Sequence, residues 1–222
     1  RFLLNMARKM KAQFIFFSSS EIYGNPDKKN IPTKEDYKGY VSCIGGRSCY
    51  DEGKRIGETL SYTFYEHFGV HTNCIRPFNV YGPGMLQTDY RVLSNFALNI
   101  LKNNPLRVFY PGTQTRTYCY VTDAIIGFFL VLLKGQAGET YNIGNNKPEV
   151  TVLDLAKKVK KNFDYKIKIK VIKYPPNYPK EEPQRRCPNL KKVQQQLGYV
   201  PKISLDNGLR KFFNWALVNY KI

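Results

Sequence analysis

Short apolar runs that alternate with longer stretches at helical spacing constrain this chain more than any other feature. Phe14-Ile15-Phe16-Phe17 is a compact run of strand formers, residues 50–66 have the length and spacing of a helix, and His71 to Ile75 returns as a strand. Repeated along a chain, this alternation is the pattern of an α/β protein, whose ligands bind beyond the carboxyl ends of the strands. Functional groups stand at those ends. Ser18-Ser19-Ser20-Glu21 follows the first strand, and Arg76-Pro77 and the turn-rich Tyr81-Gly82-Pro83-Gly84 follow the second.

Downstream, residues 92–101 read as a helix, 106–110 as a strand, and 122–133 as a helix that Thr122 or Asp123 could cap. After Tyr141-Asn142-Ile143, Thr151-x-x-Asp154 resembles a capping box that opens a helix to about Phe163. Ile167 to Lys173 alternates apolar residues with lysine, as a half-buried edge strand does. Residues 174–188 hold five prolines and read as extended loop, followed by helices near 190–197 and 204–220.

Several classes are excluded. The longest apolar stretch, Ile125 to Leu133, falls short of the roughly 20 residues of a membrane span; interrupted by Gly127, it reads as a buried helix, and no membrane partner is expected. Residues 1–12 are basic and amphipathic but lead straight into a strand with no cleavage pattern, so no signal peptide is read. The five cysteines contain no Cys-x-x-Cys pair, which fits a reducing cytoplasm and argues against a disulfide framework or zinc site. His67 and His71 have a ligand-like spacing, but Gly69 between them reads as a helix stop, so no metal is expected. The net charge of +18 suits nucleic acid, a membrane surface or phosphorylated small molecules. Much of it lies in lysines of solvated helix faces, such as Lys157, Lys160, Lys161 and Lys191. The aromatic residues that a single-strand nucleic-acid binder would use sit in core-like runs, so no nucleic-acid partner is expected.

The chemistry concentrates at Tyr50 and Lys54, four apart and hence on one helix face. An ammonium beside a phenol favours the phenolate, which can then take a proton from a substrate alcohol. Around this pair stand Phe17-Ser18-Ser19-Ser20-Glu21-Ile22-Tyr23-Gly24, Arg76-Pro77-Phe78-Asn79-Val80-Tyr81-Gly82-Pro83, Gln114-Thr115-Arg116, Tyr120-Val121-x-Asp123, Tyr141-Asn142-Ile143-Gly144 and Arg185-Arg186-Cys187-Pro188. In these motifs, and in their order, the chain resembles the extended short-chain dehydrogenase/reductase family of nucleotide-sugar epimerases, dehydratases and decarboxylases.

The resemblance implies a Rossmann-like, doubly wound parallel sheet lacking its amino-terminal strands, with a smaller carboxyl-terminal α/β substrate-binding domain. Residues 1–85 would carry the catalytic part of the NAD-binding domain, and 86–222 mostly the substrate domain, with segments returning to the first. It makes Tyr50 the general base, Lys54 its partner and a ligand of the nicotinamide ribose, and Ser19 the hydroxyl that orients the reacting alcohol. Ser20 and Glu21 would stand next to the sugar, Ser18 and Pro77 against the cofactor, NAD. Asn79, Arg116 and Arg186 would hold the nucleotide-diphosphate sugar, as would Arg91, Val92 and Asn95 at the start of the substrate-side helix. Tyr81 and Phe78 read as packing. A homodimer is implied as well, with Ile56, Leu60 and Phe64 as interface candidates that could equally be core. No glycine-rich phosphate turn is present, so these residues alone are expected to bind a dinucleotide weakly, a longer protein supplying that turn.

Within the family, Ser48-Cys49-Tyr50-Asp51-Glu52-Gly53-Lys54-Arg55 and Ser-Ser-Glu most resemble the UDP-glucuronate decarboxylase branch, in which Glu21 and Arg186 match further catalytic positions. Val41-Ser42-Cys43-Ile44-Gly45-Gly46 departs from that branch, which has Asn-Pro before Ile-Gly-Pro-Arg. Nucleotide-heptose 4-dehydrogenases of capsule or lipopolysaccharide synthesis are related. The expectation is therefore NAD-dependent oxidation at C4 of a nucleotide sugar by a 4-dehydrogenase, with UDP-glucuronate decarboxylation, epimerisation and dehydration as the alternatives.

Overall fold

The structure, a computed structural model, describes residues 1–163, 166–175 and 183–221. Helix α1 (Phe2–Met10) leads into strand β1 (Phe14–Phe17), and α2 (Ser48–Phe68) into β2 (Thr72–Pro77) and the short β3 (Val80–Tyr81). Then come α3 (Val92–Leu101), β4 (Leu106–Phe109), β5 (Thr115–Arg116), β6 (Cys119–Tyr120), α4 (Val121–Lys134) and β7 (Thr140–Ile143). The rest is β8 (Val150–Thr151), α5 (Val152–Phe163), β9 (Ile169–Ile172), β10 (Arg185–Arg186), α6 (Lys191–Leu197) and α7 (Leu205–Asn219).

Strands β1, β2 and β7 form a parallel sheet in that order. Successive side chains of a strand point to opposite faces, and here each face meets its own helix layer. Phe14 packs with Leu4, Phe64 and Val70 of the α1–α2 side, and a Cβ on Gly57 of α2 would come 2.1 Å from the Phe16 ring. Ile15 and Ile75 face the other way, into a core with Val131 of α4 and Val193 and Leu197 of α6, while the Phe17 ring meets Phe128 edge-on at 5.0 Å. The result is the doubly wound, Rossmann-like layering that the family resemblance implies. A second and larger core joins α3, β4, α5 and α7 around Phe96, Leu106, Val108, Leu155, Leu209, Phe212 and Phe213, all fully buried. The parallel pair β4–β9 and the small sheet β10-β5-β8 flank it.

Local signals hold in most places. Gly69 ends α2 in the left-handed region at φ 65°, Asp154 N donates to Thr151 Oγ1 at 2.9 Å, and Ser204 caps α7 through Asn207 N. Part of the proline-rich stretch, residues 176–182, lies outside the described residues. Two expectations need correction. Asp123 does not cap α4; its buried carboxylate accepts from the backbone N–H of Lys202 and Ile203, at 3.1 and 2.8 Å, tying the α6–α7 link to α4. Nor is α4 buried all round. Only the stripe with Ala124, Gly127 and Val131 reaches the sheet, where a Cβ on Gly127 would lie 2.7 Å from Ile143 Cγ2, and Ile126, Phe129 and Leu133 are exposed. Leu60 and Phe64 belong to the α1–α2 core with Leu4 and Ala7, leaving Ile56 alone of the three exposed. No described helix is long and apolar enough to cross a membrane.

One buried network positions the turn that follows β1. Arg76, next to last in β2 and 8% exposed, donates from Nε and Nη2 to the two carboxylate oxygens of Glu58 on α2, at 2.8 and 2.6 Å. Its Nη1 donates to the Tyr23 hydroxyl at 2.6 Å and the Glu35 carbonyl at 2.7 Å. Tyr23 OH in turn donates to Asn142 Oδ1 of β7 at 2.7 Å. Burial pushes the Tyr23 phenol above its ordinary range, with Arg76 pulling the other way, so the hydroxyl stays a neutral relay. Replacing Arg76 with Met would leave a nearly buried carboxylate unpaired, and we expect a loss of about 3 kcal/mol in urea unfolding. A much smaller loss would mean that the network does not hold the turn.

Candidate active site

The predicted serines, Glu21 and Pro77 stand at the carboxyl ends of β1 and β2. Ser18 extends the strand pairing by donating its N–H to the Ile75 carbonyl at 2.8 Å; its hydroxyl is buried and has no hydrogen-bond partner among the described residues. Ser19 caps a 3-10 turn, Ser20–Tyr23, its Oγ accepting from Glu21 N at 3.2 Å. The capping bond aims the turn so that Ser20 is buried and the Glu21 carboxylate faces two arginines. Arg186, buried at the end of β10, pairs with both Glu21 oxygens. Arg47, just ahead of α2, pairs with Glu21 Oε2.

Helix α2 runs past this turn. Lys54 Nζ donates to the Phe17 carbonyl at 2.8 Å and lies 5.6 Å from the centre of the Tyr50 ring, so the phenol and the amine share a face. Tyr50 is 50% exposed and open to a ligand. Glu58, one further turn along the same face, anchors the helix to Arg76. The face thus binds β1 at Lys54 and β2 at Glu58.

At the end of β2, Pro77 is half-buried and Phe78 N donates to the Ile143 carbonyl at 2.8 Å. Phe78 and Tyr81 are core residues, as predicted. Asn79 adopts φ 42°, a left-handed conformation that Asn tolerates better than most residues, and its Nδ2 donates to the Thr117 carbonyl at 2.9 Å. Arg116 is buried on β5, donating to the carbonyls of Thr115 and Gln184 at 2.8 and 3.4 Å. Arg91 is exposed and pairs with Asp89, while Nη1 reaches the Val80 carbonyl at 3.3 Å. Val92 and Asn95 lie on the first turn of α3, where Asn95 Oδ1 accepts from Asn99 Nδ2 at 2.8 Å. The serine turn, Glu21, Arg186, Tyr50 and Lys54 therefore form one linked cluster. Arg91, Val92 and Asn95 belong to a separate loop and helix start, where Arg91 reaches the Val80 carbonyl beside Asn79.

The structure adds groups that the sequence reading passes over. Arg47 is the chief one; it stands at the arginine of the decarboxylase branch's Ile-Gly-Pro-Arg, and its position three before Tyr50 and seven before Lys54 places all three on one face. Arg185 is another, donating to both oxygens of Glu149 at 2.6 and 2.7 Å. Thr115 Oγ1 also donates to Glu149, at 2.5 Å, so the carboxylate holds β5 and β10 together beside Arg116 and Arg186.

Comparison with known proteins places this geometry. Residues 1–144 match the NAD dependent epimerase/dehydratase family. UDP-glucuronic acid decarboxylase 3 of Arabidopsis thaliana is 40% identical over 207 residues, 93% of this chain and 58% of the relative. UDP-glucuronic acid decarboxylase 1 of Danio rerio is 36% identical over 94% of the chain and 48% of the relative. Among solved structures, UDP-glucuronic acid 4-epimerase from Bacillus cereus, in complex with UDP-glucuronic acid and NAD, superposes with a TM-score of 0.86 at 28% identity, over 98% of this chain and 66% of that one. The chain thus spans about half the length of the curated relatives it matches.

The β5–β10 joint has an acid limit. Paired with Arg185, the Glu149 carboxyl is held below its ordinary value of 4.5. A carboxylate depressed in the folded state stabilises the fold above its unfolded value and loses that contribution as pH falls through the folded one. Glu149→Gln should therefore be less stable than the parent at neutral pH, with the gap narrowing below about pH 4.5. Unfolding midpoints measured across that range would refute this if the gap stayed constant.

Proposed function

Because the chain belongs to the NAD dependent epimerase/dehydratase family, we propose that the protein carrying it oxidises C4 of UDP-glucuronate and decarboxylates the product. The observation that carries this reading is the joined cluster of Tyr50, Lys54, Ser19, Glu21 and Arg186, in a chain 40% identical to a UDP-glucuronic acid decarboxylase over 93% of its length. The curated relatives favour decarboxylation over the plain 4-dehydrogenase expected first.

The residues present suit a nicotinamide cofactor. Ser18 carries a buried hydroxyl without a partner among the described residues at a strand end, and Pro77 and Lys54 border the same edge of the sheet. Ser18, Tyr50, Lys54 and Pro77 would hold NAD, which would supply the acceptor for hydride from C4.

Tyr50 takes the C4 hydroxyl proton as the C–O bond becomes a carbonyl, and the Lys54 ammonium stabilises the phenolate electrostatically. Ser19 orients the alcohol. A ketone at C4 is β to the C6 carboxylate, so the C5–C6 bond can break, its electrons entering the carbonyl as carbon dioxide leaves. Glu21, paired with two guanidiniums, acts as a fixed acceptor rather than a mobile base. Asn79, Arg116, Arg91, Val92 and Asn95 are assigned to the nucleotide and diphosphate, on the strength of the resemblance. A homodimer through α2 would use Ile56, the one exposed position of the three expected there.

One observation favours the 4-dehydrogenase reading. The loop ahead of the base, Ser42-Cys43-Ile44-Gly45-Gly46, departs from the decarboxylase pattern and is exposed, which leaves room for a different sugar. Incubating the full-length protein with NAD and either UDP-glucuronate or a nucleotide heptose, then weighing the products, separates the two. Loss of carbon dioxide from UDP-glucuronate is expected, and its absence alongside a keto-heptose product would overturn the decarboxylase reading. Tyr50→Phe should lower kcat about a thousandfold, and near-normal turnover would remove Tyr50 from its role.

A further inference from the structure

We propose that Arg47 is a positioning residue for the proton-accepting phenol: its guanidinium clamps the first turn of α2, which carries Tyr50, against the serine turn at the end of β1. The inference rests on the reading of Tyr50 as proton acceptor.

Helix α2 begins without a side-chain cap. Arg47 holds the capping position with no side-chain bond to the helix backbone, and Gly45, at φ 136°, and Gly46 lead into it. A helix start of this kind, entered from two glycines, has little to stop it fraying. Tyr50 stands in that first turn, its N–H bonded to the Arg47 carbonyl at 3.0 Å, so fraying would move the phenol directly.

Arg47 supplies the missing restraint from the side. Its Nη2 pairs with Glu21, and its Nε lies 3.9 Å from Asp51 Oδ2, the carboxylate next to Tyr50. Glu21 is a firm post because the buried Arg186 grips both of its oxygens. Lys54 ties the second turn to β1 through the Phe17 carbonyl. The phenol is therefore bracketed by two cations on its own face, one anchored before β1 ends and one just after. Arg47 itself faces two carboxylates, Glu21 and Asp51, so its single charge is matched within the protein and not offered to a substrate anion. Its contribution is geometric.

The test uses the full-length protein with Arg47→Met and Arg47→Lys. The methionine variant should lose about a hundredfold in kcat, as expected for a misplaced reacting group, while KM for the sugar nucleotide stays within about threefold. The lysine variant should recover part of the loss. A raised KM at unchanged kcat would overturn the proposal by making Arg47 a substrate ligand, and equal losses in both variants that track a lowered Tm would overturn it by making Arg47 merely structural. The clamp can also be read without turnover, which separates it from the assignment of Tyr50. A double-mutant cycle of Arg47→Met with Glu21→Gln should give non-additive losses in unfolding, and additive losses would refute the clamp even in an inactive protein.

Discussion

A guanidinium buried near the carboxyl end of the central strand is the constraint from which the rest of this structure follows. Arg76 sits where β2 would otherwise carry an apolar residue, and burying a cation there is tolerable only because Nε, Nη1 and Nη2 all find acceptors. Those acceptors come from three places, α2, the turn after β1 and the segment near residue 35, and Tyr23 carries the network on to β7. One side chain thus fixes the helix with the phenol, the turn with the serines and the two strands beneath them. A network so completely satisfied is rigid, because moving any member leaves a buried polar group unpaired.

The same logic recurs one layer higher at Glu21. Surface lysines account for much of the +18 charge and make scattered, exposed pairs such as Lys157 with Asp154. A few arginines, by contrast, are buried or half-buried and matched to a carboxylate: Arg76 to Glu58, Arg185 to Glu149, Arg186 to Glu21. Planar forked donors suit carboxylates in a way that a lysine ammonium does not. The bulk charge therefore says little about the site, and the few buried cations say most.

This explains what was legible beforehand. The strand and helix alternation, the Tyr50–Lys54 face and the Gly69 stop depend on neighbours within a few residues, and periodicity reports such neighbours faithfully. Glu21 and Arg186 are 165 positions apart, and Asp123 and Ile203 are 80 apart. No local pattern encodes such pairings; for Arg186 the family resemblance marked the position but not its partner, and for Asp123 local capping logic pointed to the wrong one. Arg47 was hidden because the two glycines before it look like loop, although its spacing to Tyr50 and Lys54 is helical. The outer face of α4 was misread for the opposite reason: an apolar run in sequence does not say how many of its sides have something to pack against.

The long-range contacts also join the two ends of the chain into one site. β10 pairs with β5, and just beyond it Thr33 N donates to the Cys187 carbonyl at 2.9 Å while Asn189 N donates to the Thr33 carbonyl at 2.8 Å. The segment delivering Arg186 is thus stitched by its backbone to the loop that Arg76 anchors, before its side chain reaches Glu21. Because those backbone bonds do not depend on charge, Arg186 should keep its place even when the carboxylate it grips is altered. Rigidity on the buried side is set against access on the other, where Tyr50 remains half exposed. A proton-accepting phenol needs both: a fixed distance to the groups beneath it and an open approach for the alcohol above.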